Sequence, residues 1–133
     1  MVSLPSPPPD PWVRAFVALG ALNGLLAVGL GAAGTHLLAP HFVARGAQWY
    51  ALAGHYQGVH SLALFAVAWL SDRLPRPGFA RLAGACFVAG SVFFAGALYY
   101  RALGGDGWFM HMVPFGGMIW LIGWLALVVA AWR

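Results

Sequence analysis

Apolar residues fill four long stretches of the chain, roughly 15–34, 48–70, 79–100 and 109–132, and charged residues stand almost only between them. Each stretch approaches the ~20 residues that a helix needs to cross ~30 Å of hydrocarbon. Within a stretch the polar positions show no clean helical period. That is expected of a helix facing lipid on one side and apolar neighbours on the other, so length and absence of charge carry the reading. The pattern predicts an all-α integral membrane protein, a four-transmembrane-helix bundle with short loops. The opening "MVSLPSPPPDP" crowds its prolines too closely for a helix and offers nothing to bury, so residues 1–11 read as a proline-rich N-terminal tail before a single domain, 12–133. The apolar run after Arg14 exceeds the ~7 to 15 residues of a signal-peptide core and reads as a retained span.

Composition agrees: 62% of residues are hydrophobic and 8% charged, with a mean hydropathy of +0.78, against about 25% charged in soluble domains. All seven basic residues are arginines, and the formal net charge is +4. In a soluble domain that balance would suggest nucleic acid; here the arginines flank the spans, so the expected partner is the lipid bilayer and not nucleic acid. Four spans put Arg14, Arg73, Arg76, Arg81 and Arg133 on one side and Arg45 and Arg101 on the other. An excess of positive charge marks the cytoplasmic side, which predicts both termini there.

The stretch "HYQGVHSLAL", residues 55–64, breaks the second apolar run with two histidines, a tyrosine and a glutamine. On a helix Tyr56 and His60 share a face, while His55 points about 140° away from His60. The two histidines are thus a poor pair for one metal ion. Lipid satisfies neither an imidazole nor an amide, so His60, Tyr56, Gln57 and His55, with Asn23 of the first span and His36 beyond it, form a candidate polar cluster inside the bundle. Asn23 and Tyr56 are the expected partners of His60. Gly20, Gly24, Ala27 and Gly31 make a small-residue stripe that lets another backbone approach closely and makes a homo-oligomer an expected state. Trp12, Trp49, Trp108, Trp132, Tyr99 and Tyr100 fall near span ends and read as an interfacial belt.

Other chemistry finds little to stand on. Met110, His111 and Met112, with His36, offer soft ligands that suit Cu(I), but methionines beside a histidine at the start of a span are more commonly packing residues; no metal and no cofactor is expected. Asp10, Asp72 and Asp106 lie in the tail or loops, and no acid, base or nucleophile set assembles, which speaks against an enzyme.

The segments "GALNGLLAVGLGAAGTH", "YQGVHSLAL", "YYRALGGD" and "PFGGMIWLIGW", in that order, resemble a family of small four-helix membrane proteins of bacteria and mitochondria, catalogued as domain of unknown function four hundred and twenty-three and including transmembrane protein two hundred and fifty-six. The resemblance implies a multi-pass inner-membrane protein, in the bacterial cell membrane or the mitochondrial inner membrane, without an established activity. It also implies matched positions at His36, His60, Tyr56 and Gln57, and a turn into the last span at Pro114, Gly116 and Gly117. His55 and the "MHM" triplet depart from its pattern. Two roles follow: a structural or accessory component of a membrane complex, associated with other membrane-protein subunits, or a binder or carrier of a small polar or amphipathic ligand (lipid headgroup, quinone or ion) in a polar pocket around His60.

Overall fold

The computed structural model describes Pro8 and residues 10–132, and these are all-helical apart from short connections. Most of the proline-rich tail lies outside the described residues. Asp10 and Pro11, assigned to that tail by sequence, instead begin the first helix. The Asp10 carboxylate accepts the Trp12 backbone N–H at 2.8 Å, and Pro11 takes the first helical position, where its missing N–H costs nothing.

The first helix runs over Pro11–His41, the second over Gly46–Arg73, the third over Gly78–Ala102 and the fourth over Trp108–Ala131. To within one residue, each expected span falls inside one helix. The first, third and fourth are long and apolar enough to cross a membrane. The second has 28 residues, about 42 Å at 1.5 Å per residue. That length suffices, but the polar stretch at 55–61 lowers its hydropathy. The connections 42–45, 74–77 and 103–107 are short, which forces sequential helices to lie side by side.

Contacts set the order. Gly20 meets Ser61 and Leu64, Asn23 meets Gln57, and Leu30 meets Tyr50, so the first two helices are antiparallel. Phe94 meets Gly116, Gly90 meets Trp120, and Phe87 meets Gly123, which makes the last two antiparallel as well. Tyr50–Tyr99, Tyr56–Phe94 and His60–Phe87 contacts join the two pairs through the second and third helices. The second helix is therefore central. It buries Gln57, His60, Ser61 and Ser71, and every helix turns leucines or valines outward.

Two helices carry a π turn, Gly34–Leu38 in the first and Ser91–Gly96 in the third. Apolar residues on every side of these helices hide such a phase shift from the sequence pattern. Pro114, Gly116 and Gly117 do not form a turn into the last span. The turn lies earlier, as a 3₁₀ segment at Trp108–His111, and all three residues are helical. Pro114 sits in the first turn of that α-helical segment, and Gly116 lets it approach the backbone of Phe93 and Phe94.

An ion pair closes one end of the bundle. Arg81 Nη2 donates to Asp10 Oδ2 at 2.6 Å, with its guanidinium over the Trp12 ring. At the opposite end Arg101 lies over Trp49 and 3.9 Å from Asp106.

Candidate functional site

His60 is 3% exposed; of its two expected partners Tyr56 meets it, through its backbone carbonyl and a ring stacked at 6.5 Å, and Asn23 does not. Its Nδ1 lies 2.7 Å from the backbone carbonyl oxygen of Tyr56, and its Nε2 lies 3.1 Å from Trp124 Nε1. A carbonyl only accepts and an indole N–H only donates, so Nδ1 carries the hydrogen and Nε2 is the acceptor. One neutral tautomer satisfies both bonds. The imidazole also stacks on Trp120, with centroids 3.9 Å apart and planes 5° from parallel, while Phe87 meets it edge-on. Trp120 is held in turn, donating from Nε1 to the Phe87 carbonyl at 3.1 Å.

Asn23 pairs with Gln57 instead. Gln57 Nε2 donates to Asn23 Oδ1 at 3.1 Å, and Asn23 Nδ2 donates to the Gln57 carbonyl and to Ser91 Oγ, each at 3.2 Å. Tyr99 OH donates to Gln57 Oε1 at 2.8 Å, and Ser91 Oγ donates to the Phe87 carbonyl. This chain ties together the first three helices. Removing Asn23 and Gln57 as leucines, singly and together, is expected to reveal a coupling of about 1 kcal/mol, the order found for hydrogen bonds between membrane helices. Additive losses in a detergent unfolding cycle would show that the amide pair contributes nothing of its own.

The expected cluster is thus divided. Asn23 and Gln57 meet each other, whereas His60 sits in an aromatic nest to which Tyr56 contributes its carbonyl. His36 is exposed near the end of the first helix, and His55 is exposed beside the Tyr56 ring. His111 is exposed, with Met110 and Met112 half-buried beside it. Among the described residues no group of three or more His, Cys, Asp or Glu is placed to hold a metal ion.

Sequence reasoning missed Trp120, Trp124, Ser91 and Tyr99. A signal existed for the tryptophans: unlike the belt residues they lie in the middle of a span, where an indole N–H needs an acceptor from protein. Tyr99, read as a belt residue, points inward to Gln57.

Two cavities flank the first helix. One, of about 900 Å³, lies at the first connection and is lined by Tyr50, Gln48, His55 and Arg45 among others. The second, of about 470 Å³, lies between the first and third helices, with Asn23, Gln57, Ser91 and Tyr99 among its walls.

The family described as "Protein of unknown function (DUF423)" matches residues 30–117. This chain belongs to that family. It is 39% identical over 119 residues to the UPF0382 membrane protein YwdK of Bacillus subtilis, covering 90% of this chain and 97% of the relative. It is also 34% identical to a UPF0382 membrane protein of Staphylococcus saprophyticus (91% and 99% covered) and 32% identical to one of Haemophilus influenzae (89% and 94%). No solved structure matches. The family matches agree with a helical membrane protein of unknown function.

Proposed function

We propose that the chain is a four-span protein of the bacterial inner membrane, with both termini cytoplasmic, acting as an accessory component of a membrane complex. The observation that carries this reading is the enclosure of His60. Both nitrogens of His60 are engaged by the bundle's own atoms, and its ring is packed between aromatic side chains. Such a histidine builds and orients a bundle and has no free nitrogen to offer to chemistry. The second helix counts as a span because its polar residues Gln57, His60 and Ser61 face inward, so lipid does not meet them. The arginine asymmetry supports the orientation, with Arg14, Arg73, Arg76 and Arg81 at the end where the first helix starts and the second finishes.

Extraction in a mild detergent followed by affinity capture is expected to bring down a stoichiometric membrane-protein partner; recovery of the chain alone would count against the accessory role. Topology has a separate measurement. In a Cys86→Ala background, cysteines placed at the exposed Asp72 and Asp106 are expected to label from opposite faces, Asp72→Cys from the cytoplasm. Labelling of both from one side would remove the four-span arrangement.

A further inference from the structure

The cavity between the first and third helices has a built polar floor and an apolar mouth. Its third-helix wall includes Ser91, Val92 and Gly96, all within the π turn Ser91–Gly96. Gly96 contributes no side chain, and a Cβ placed there would approach only the Ser91 carbonyl, at 3.9 Å. π turns of this kind recur at functional sites. The first-helix wall carries Leu22 and Leu26, both exposed on the outer surface, so the cavity opens sideways at the depth where the bilayer would lie.

The hydrogen bonds on the floor leave a defined remainder. Asn23 Nδ2 gives both its hydrogens, to the Gln57 carbonyl and to Ser91. Gln57 Nε2 gives one of two, to Asn23, and Tyr99 has given its only hydrogen to Gln57. The floor therefore keeps one amide N–H, on a glutamine only 5% exposed, and the lone pairs of the Tyr99 hydroxyl. No charged residue lines the space. At membrane depth an unanswered amide hydrogen is costly, and no charge is present to attract an ion or a charged headgroup.

We propose that this crevice is a binding site, reached from within the bilayer, for a neutral lipophile whose polar end is a carbonyl or hydroxyl group. A carbonyl takes the spare Gln57 N–H; a hydroxyl takes it and donates to Tyr99. The volume of about 470 Å³ is some three times the ~150 Å³ that accommodates a benzene, enough for a ring-sized head and several chain carbons. The site depends on the chain lying in the membrane and is independent of the accessory role, so a lone chain in the capture experiment would leave it standing.

The test uses the full chain in phosphatidylcholine nanodiscs, titrated separately with a decyl-chain benzoquinone and with dioctanoylglycerol. Saturable one-to-one binding of at least one probe is expected, weakened tenfold or more by Gly96→Leu, which adds a side chain to the crevice wall at a position where the Cβ itself meets no backbone closer than 3.9 Å. Binding of the quinone alone assigns an isoprenoid-quinone source, and binding of the glycerolipid alone assigns a membrane neutral lipid; either supports the site. Leu26→Trp, which narrows the mouth from outside, serves as a second occluding variant should Gly96→Leu fail to fold. Uptake of both probes in simple proportion to lipid volume, or saturable binding that is indifferent to both substitutions, would overturn the proposal.

Discussion

Gly116→Ala is expected to lower the melting temperature in detergent by several degrees, while Gly29→Ala leaves it unchanged or raises it slightly. Alanine is the better helix former by about 1 kcal/mol, so in open surroundings the exchange favours the helix. At Gly29 a Cβ meets nothing within 4 Å, and that preference acts alone. At Gly116 the same atom would lie 2.5 Å from the Phe94 backbone nitrogen and 2.8 Å from the Phe93 carbonyl carbon. Backbone cannot rotate aside as a side chain can, so the third and fourth helices must separate. Overpacking of this kind costs about 1–3 kcal/mol, more than the propensity gain. Separation would also loosen the Trp120 stack on His60 one helical turn away. Equal effects of the two substitutions would show that the close approach at Gly116 contributes nothing to holding the bundle.

His60→Leu is expected to destabilise the protein more than His60→Gln does. Leucine fills much of the space but leaves the Trp124 indole N–H without its acceptor, a loss of about 1–3 kcal/mol where the group is shielded from water. It also removes the ring stacked on Trp120, a contact worth about 0.5–1.5 kcal/mol beyond its area. Glutamine loses the stack yet retains an amide oxygen that can accept from Trp124. The Tyr56 carbonyl is the lesser concern, since it remains in the backbone ladder of the second helix. The predicted order of melting temperatures is wild type, then His60→Gln, then His60→Leu. Identical temperatures for all three would remove the structural account of His60 and with it the observation on which the accessory reading rests.

The positions of the helices were legible because crossing hydrocarbon sets a length and forbids charge, and both are properties of a one-dimensional string. The same reasoning required Asn23, Gln57 and His60 to turn inward, since lipid offers an amide or imidazole no partner. It did not say which of them meet. Depth along the span constrains only one coordinate, and Asn23 at the level of the polar stretch was as compatible with His60 as with Gln57. Rotation about each axis and the order of neighbours decide between them, and in helices apolar all round neither leaves a mark on hydropathy. The π turn at Ser91–Gly96 is invisible for the same reason, although it carries Ser91, which meets Asn23, and lines the crevice beside it. Trp120 and Trp124 resemble belt residues by type and differ only in depth. Asp10 and Arg81 are 71 positions apart, and only the packed bundle brings that carboxylate and guanidinium together. Sequence by itself determined where the apolar helices run and which polar residues need protein around them, and one helical turn put Tyr56 beside His60; the tertiary structure alone chose the partners on other helices, because that is a matter of helix phase and neighbour order that an apolar sequence does not encode in its pattern.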